Sequence, residues 1–340
     1  MPVYRGGPAM LGGVKKSIRK IRAKLFTPEH PFLWTLKMYK MLVRHKRHSI
    51  MSYAEIESEI GRQYRKMFGR TLNWDNPQTY NEKIHVSKVY MPTPLKTRLA
   101  DKVAVREWIT ERIGSEYLIP LIGVYDSFDE IDFDALPDSF VMKCSHDSGS
   151  VTLVKDKRKI SREILRRKYG LFMRRNYEWK GWEMHYRDIP HKIMIEQYMG
   201  DAINDYKFLC FNGKPYYCWV DFDRYTNHKR NIYNLDWELQ PFNQYHYGNY
   251  ASSVKCPEEF ENMKKIATVL CESFGHVRVD LYVIEGRVYF GEMTFSNGDG
   301  FEEIIPDEWA YKLGALWPFD NTVRAKVLAE YSRPADYQNP

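Results

Sequence analysis

Acidic residues are almost missing from the first fifty positions, where twelve Lys or Arg stand against the single acid Glu29, while the rest of the chain carries 39 bases and 43 acids. The formal charge of +7 therefore belongs to the N-terminus, and the body is mildly acidic. A basic patch confined to one end, with no groove-reading motif in the body, argues against a nucleic-acid partner. Cysteine is scarce, with five residues at 144, 210, 218, 256 and 271 and no CxxC spacing. That odd, scattered set fits buried thiols in a reducing, cytoplasmic setting rather than a disulfide framework or a zinc site. The ten histidines contain no HxxxH or HExxH pair, so a transition-metal site is not indicated. No apolar run reaches the roughly 18 residues of a spanning helix. Lys and Arg interrupt the apolar residues of the N-terminus, so no secretory leader is expected. Internal repeats, low-complexity segments and Ser-His-Asp or Cys-His arrangements are absent as well.

What is present is enough apolar material for a sizeable core: 340 residues, 44% hydrophobic and 15% aromatic. This composition fits one large domain or two intimately packed ones. Helical periodicity covers 52–68, 77–91, about 100–113, 161–176, the stretch after Pro257, and 307–316, with Asn76 as a cap and Pro77 in a first turn. Strand-like runs occupy 117–125, 140–146, 151–156, 192–199, 205–211 and 215–222, the last two joined by Asn212-Gly213, a hairpin signal. A polar loop is expected up to about 256. Hairpins and helices interleave without a regular βαβ repeat, which predicts an α+β fold.

The basic segment mixes Ile18, Ile21, Leu25, Phe32, Leu33, Trp34, Leu36, Met38, Met41 and Leu42 among its cations. A basic helix with an apolar side suits peripheral contact with an anionic membrane through residues 1–50, on the inner face of the cytoplasmic membrane. The plainer alternative is a solvated helix that packs one face on the body.

Residues 276–300, HVRVDLYVIEGRVYFGEMTFSNGDG, place two strand-like runs around a Glu-Gly turn, with Asp280 and Glu292 on inward positions. Side chains twelve positions apart can then face each other, and two buried carboxylates repel unless a divalent cation with oxygen ligands holds both ionised. Arg278 lies on the face of Asp280, the arrangement expected where phosphate charge is neutralised during transfer. A structural salt-bridge cluster is the alternative. In FVMKCSHDSGS, Lys143 sits on an apolar strand that runs into a small polar turn, whose Ser148, Gly149 and Ser150 offer N–H and hydroxyl groups to phosphate oxygens. An ordinary surface hairpin is the alternative there. The strand IMIEQYM, 193–199, offers backbone groups to an adenine edge and Glu196 to its amino group, unless it is an edge strand with outward polar residues.

The order of these parts resembles an ATP-grasp enzyme, and more closely the TupA-like ATP-grasp family associated with teichuronopeptide and other bacterial polysaccharide synthesis. The phrases that carry the resemblance are NPQTYNEKI (76–84), ADKVAVREWI (100–109), LPDSFVMKCSHDSGS (136–150), DYKFLCFNGKP (205–215) and RVDLYVIEGRVYFGEMTFSNGDGFEEIIPDEWAYKLG (278–314). Together they span roughly residues 60–318. The resemblance implies two α+β lobes whose antiparallel sheets enclose ATP, here 136–199 as the small lobe and 200–320 as the C-terminal lobe. A helical region, 51–135, and the basic segment, 1–50, would precede them, and a tail, 321–340, would follow.

It also implies that Lys143 and Lys207 reach the phosphates, that Lys102 belongs to the same cofactor site, and that the turn from His146 through Ser148, Gly149 and Ser150 covers the phosphates. Glu196 and the backbone near Tyr198 would meet adenine. Asp280 and Glu292 would hold Mg²⁺, two ions being usual, and Arg278 would stabilise the transferring phosphoryl group. The family pattern has Asn two residues after the metal-binding Glu, whereas Thr294 stands there, with Asn297 as a substitute ligand. The activity implied is a carboxylate–amine ligation through an acyl phosphate, joining an amine or amino acid to a uronic-acid-containing saccharide. Arg224 would receive the acceptor carboxylate, near Asp223 and the aromatic residues Tyr225, Tyr233, Trp237, Tyr245 and Tyr247. Lobe packing is the other account of those aromatics. A sugar kinase on the same site, a polysaccharide glycosyltransferase and a non-catalytic scaffold stay open as alternatives.

Overall fold

The computed structural model describes residues 31–201, 204–222, 229–244 and 254–336. Three antiparallel sheets form the frame. The first has four strands in the order β1-β4-β2-β3, with β1 Leu121–Tyr125, β2 Phe140–Cys144, β3 Thr152–Val154 and β4 Ile193–Gln197. The second has five in the order β10-β9-β5-β6-β7, namely β5 Asn204–Phe211, β6 Lys214–Phe222, β7 Lys229–Asn234, β9 His276–Ile284 and β10 Arg287–Thr294. A two-stranded ribbon pairs β8 Asn243–Gln244 with β11 Ile304–Ile305. The mixed α+β architecture and its antiparallel sheets match the sequence expectation.

Each of the two larger sheets backs a core. Phe140, Met142, Ile193 and Ile195 project from the first sheet against Phe133, Leu165 and Tyr169. Phe208, Val277, Val279 and Leu281 project from the second against Phe260, Ile266 and Leu270. The helices behind these faces are α6 Arg162–Phe172 and α8 Phe260–Cys271.

Ten helices are described. α1 Pro31–Ser49 buries Trp34 and Met38 in the core of the first sheet, so part of the basic segment packs on the body. α2 Tyr53–Phe68 opens with a capping box between Ser52 and Glu55 and buries Tyr53, Ile56, Ile60 and Tyr64, the i, i+3, i+7, i+11 face of a helix. α3 Tyr80–Tyr90 begins later than expected: Thr79, not Asn76, is the cap, because Thr79 and Glu82 close the capping box. Every residue of α3 is buried. A polar sequence survives there because its charges find partners: Lys83 donates to the carbonyls of Gly314 and Trp317 at 2.8 and 2.7 Å, and Lys88 lies 2.6 Å from Asp299. Gly314, in α9 Glu308–Ala315, permits the close approach, since a Cβ there would meet the Gln78 carbonyl at 2.1 Å.

Several boundaries differ from the periodicity. The helix expected over 100–113 is broken into α4 Pro94–Ala100 and α5 Val105–Ile113. Asp101 accepts the Val103 N–H at 2.8 Å and diverts the chain, as short acids do. α6 stops at Phe172, and a short helix α7 Glu178–Gly181 follows. The stretch expected to be loop up to 256 contains β7 and β8. The sequence KRNIYN has no apolar alternation, yet Arg230 and Asn231 are buried in β7, with Arg230 paired to Asp221 of β6 at 2.6 Å. Past 316, α10 Thr322–Glu330 docks through Arg324, which sits 2.6 Å from Glu57.

Candidate active site

The β9–β10 hairpin turns at Glu285-Gly286, both with positive φ (50° and 72°), the geometry of a tight hairpin turn. Near the turn, Val283 pairs Val288 and Leu281 pairs Phe290. The register then shifts by one at Gly291, and Asp280 stands opposite Glu292. A Cβ on Gly291 would lie 3.0 Å from both the Asp280 carbonyl and the Tyr282 ring, so a side chain at the bulge would force its neighbours apart by a few tenths of an ångström. The two carboxylates face one another, but not both inside: Asp280 is buried, whereas the Glu292 side chain is 49% exposed. Of the two, only Asp280 is withdrawn from water.

Asp280 is gripped by cations. Arg278 donates from Nε to Oδ1 at 2.6 Å and from Nη2 to Oδ2 at 2.7 Å, and Lys207 Nζ reaches Oδ2 at 2.8 Å. Burial pushes the Asp280 carboxyl up, but the Arg278 and Lys207 charges outweigh it and hold the pKa below its ordinary value. Arg278 also donates to Glu292 Oε1 at 2.9 Å and to Asn297 Oδ1, while the Thr294 hydroxyl donates to Glu292 Oε1 at 2.9 Å. Lys207 continues the network to Asp205 at 2.5 Å. The structure thus brings together Arg278, Lys207, Asp280, Glu292, Thr294 and Asn297. Their acceptor atoms are all oxygens, the donor set that suits Mg²⁺ rather than a softer metal, so these residues fit that ion. Among the described residues no group of three His, Cys, Asp or Glu side chains forms a metal cage by itself.

The facing wall comes from the first sheet. Lys143 on β2 pairs its Nζ with Glu196 Oε2 on β4 at 2.5 Å, and Arg106 of α5 holds Glu196 Oε1 at 3.1 Å. Glu196 is therefore held between two cations, one on each carboxylate oxygen. β4 is also an inner strand, with β1 and β2 on its two sides, so its backbone is engaged up to Gln197, whose N–H donates to the Pro120 carbonyl at 3.0 Å. Tyr198 follows the strand and spends its hydroxyl on Asp201 at 2.6 Å.

The turn after β2 divides into two parts. His146 is buried, stacked on His191 with 3.7 Å between ring centroids and with Nε2 3.2 Å from the Phe172 carbonyl. Burial and the neighbouring His191 bring its pKa down to about 3, so the ring packs inside the turn as a neutral imidazole. The Ser150 hydroxyl accepts the Cys144 N–H at 2.8 Å and donates to the buried Asp147 carboxylate at 2.6 Å. It braces the turn from inside. Lys102 donates to the Asp147 carbonyl and to that of Ser145 at 3.5 Å, with its pKa lowered by burial. Only Ser148 and Gly149 are exposed, with Gly149 at φ 101°.

Between the two walls lies a cleft of about 550 Å³, open mouth included. Lys102, Arg106, Lys143 and Glu196 line it on one side and Glu292 on the other. Its apolar lining, Tyr282, Phe290 and Met293 from the hairpin with Leu118, Ile119 and Tyr186 opposite, was not anticipated. Tyr282 is two residues from Asp280, and strand alternation alone puts both on one face. Leu118 and Ile119 carry no such signal.

On the acceptor side, Asp223, Arg224, Tyr225, Tyr245 and Tyr247 lie outside the described residues. Tyr233 and Trp237 are stacked at 4.3 Å and 3° and pack on the core of the second sheet, so they are lobe packing and not a sugar platform.

A family model described as TupA-like ATPgrasp matches residues 82–317. No curated protein matches the chain. Among solved structures, it is similar to a D-alanine–D-alanine ligase from Bacillus anthracis complexed with ATP, at 17% identity over 58% of this chain and 55% of that one, with a TM-score of 0.35. It is also similar to an L-amino acid ligase from Bacillus licheniformis, at 13% identity over 71% of this chain and 55% of that one, TM-score 0.38. A third is the ATP-grasp ligase PsnB complexed with its minimal precursor, at 8% identity over 66% and 62%, TM-score 0.37. The chain spans less than two thirds of each of these three.

Proposed function

The chain belongs to the TupA-like ATP-grasp family, and from that premise we propose that it is an ATP-dependent carboxylate–amine ligase that modifies a bacterial surface saccharide. The acid substrate is a uronic-acid-containing sugar or its precursor, and the partner is an amine or amino acid. The observation that supports this most is the cleft itself, which opposes Lys143 and Lys102 on one wall to Glu292, backed by Arg278, on the other.

In this reading the triphosphate lies between the sheets, with Lys143 and Lys102 on one side and Lys207 on the other. The substrate carboxylate attacks the γ-phosphorus, the bond to the β-phosphate oxygen breaks, and ADP leaves; the amine nitrogen then attacks the acyl carbon and phosphate departs. Arg278, fixed by Asp280, Glu292 and Asn297, places a planar cation where equatorial charge collects. Such chemistry asks the protein for positioning and charge, not for a nucleophile. Asp280 and Glu292, with Thr294 and Asn297 beside them, would hold Mg²⁺, which supplies charge neutralisation when bound. The apolar faces of Tyr282, Phe290 and Met293 offer a slot for a purine ring.

The test is Mg²⁺-dependent ATP binding by calorimetry, followed by phosphate release from ATP in the presence of uronic acids and amines. Free phosphate formed only when both are present supports a ligase. ADP without free phosphate, with a phosphorylated sugar, replaces it by a kinase.

A further inference from the structure

α1 is anchored by one side only. Trp34, Met38, Met41, His45 and His48 follow one another at three- and four-residue steps and face the body, with His48 stacked on Trp182 at 4.4 Å and Nδ1 2.7 Å from the Trp179 carbonyl. The opposite side carries Leu36, Tyr39, Val43 and, just past the helix end, Ile50, which are 39, 64, 52 and 67% exposed. At 3.6 residues per turn these four make one stripe along the solvent face. Single exposed apolar residues are ordinary, but an aligned stripe calls for a cover.

Charge says which cover. Lys37, Lys40, Arg44, Lys46 and Arg47 flank the stripe, all exposed, and residues 31–50 contain no acid. Among the described residues none of the five cations is in an ion pair. No helix of the described residues is long and apolar enough to cross a membrane. We propose that the outer face of α1 is a docking surface for an anionic lipid bilayer, with Leu36, Tyr39, Val43 and Ile50 entering the interface and the five cations meeting the headgroups. A nucleic acid satisfies the cations but leaves the stripe in water, and an apolar protein groove satisfies the stripe but strands the cations. An anionic bilayer answers both at the depth of one helix. The surface would hold the cleft close to a membrane, which suits a saccharide precursor carried on lipid.

The full chain is mixed with vesicles of phosphatidylglycerol and phosphatidylcholine, or of phosphatidylcholine alone, and sedimented at low and high salt. Binding to the anionic vesicles is expected, falling by about tenfold or more at 0.5 M salt, where screening is short-ranged. Lys40→Glu with Arg47→Glu, and separately Leu36→Ser with Tyr39→Ser and Val43→Ser, each weaken binding at least tenfold with an unchanged melting temperature. ATP binding measured on the same preparations stays the same, which separates this surface from the fate of the ligase reading. The proposal is overturned by absent binding, by equal binding to the neutral vesicles, or by binding that survives both sets of substitutions and disappears only when residues 1–30 are removed. Apolar substitutions that abolish a dimer in solution and leave vesicle binding intact overturn it as well.

Discussion

Asp280 and Glu292 stand opposite each other on β9 and β10 because the strand bulges at Gly291. With the two-residue turn at Glu285-Gly286 and no bulge, residue 291 would face Asp280 and Glu292 would slip out of register. One inserted residue converts a regular ladder into a carboxylate pair at the mouth of the cleft. Gly291→Ala places a methyl group 3.0 Å from the Asp280 carbonyl and the Tyr282 ring. Overpacking of this kind costs about 1–3 kcal/mol. The expected outcome is a lower urea midpoint together with a loss of Mg²⁺-dependent ATP binding larger than the stability loss explains. Unchanged binding would separate the bulge from the site.

Lys143 and Glu196 form a 2.5 Å pair across neighbouring strands, with Arg106 behind them. If the pair serves the nucleotide, its two halves differ in effect. Lys143→Ala removes a phosphate contact and is expected to weaken ATP by roughly 10- to 100-fold, about 1.4–2.8 kcal/mol. Glu196→Gln frees Lys143 from its partner and is expected to leave affinity within a few-fold of wild type. Calorimetric titration of both variants decides this. Equal losses would make the pair a structural brace.

The charge pairing around the candidate site was legible where chemistry and alternation coincide. Asp280, Arg278, Lys207 and Lys143 stand out because a charge on an apolar strand needs a partner, and each has one. The glycine turns at Asn212-Gly213 and Glu285-Gly286 fixed two hairpins for the same local reason. Side-chain direction in an irregular turn was not legible: His146 and Ser150 look like ligands in one dimension, yet they brace the turn from within. Nor was β7, whose buried Arg230 depends on Asp221 of another strand. Such long-range pairing leaves no periodic trace.

Acid sensitivity follows from buried histidines. Burial brings His146, His185 and His276 down to about 3, so the folded protein holds them neutral while the unfolded chain protonates near 6.5. Their contribution is complete above pH 6.5 and is lost as pH falls, at about 1.4 kcal/mol per pH unit for each group. Glu178 and Glu183 act in the opposite sense. Burial raises both to about 7, so the folded state keeps their protons and gains stability as pH drops from 7 toward 4.5. His45, brought down to about 4, and His85, held well below 6.5, act in the same sense as the other three, so five histidines outweigh two acids: stability declines as pH falls from 6.5 to 4.5 and declines more steeply below 4.5, where the acids no longer compensate. Urea midpoints measured from pH 7.5 to 4 check the change of slope.

In the proposed ligase reading, Arg278 is the residue expected to separate catalysis from binding. Its guanidinium meets Asp280 with two nitrogens, Glu292 at 2.9 Å and Asn297 with the third nitrogen. Lysine keeps the charge but has one nitrogen at the end of a flexible stem and lacks the planar fork. Arg278→Lys therefore retains most of the electrostatic balance around Asp280, and folding should survive with a modest loss of stability. In that reading ATP in its ground state would also draw on Lys143, Lys102 and Lys207, so its affinity is expected to change by less than about threefold. The transferring phosphoryl group, by contrast, depends on a cation whose orientation is set beforehand. Loss of one such oriented donor lowers kcat by about 10²–10³-fold. Steady-state phosphate release alongside calorimetric ATP binding reads both quantities. A fall in affinity that matches the fall in kcat would assign Arg278 to nucleotide binding and move the charge-stabilising role to Lys207.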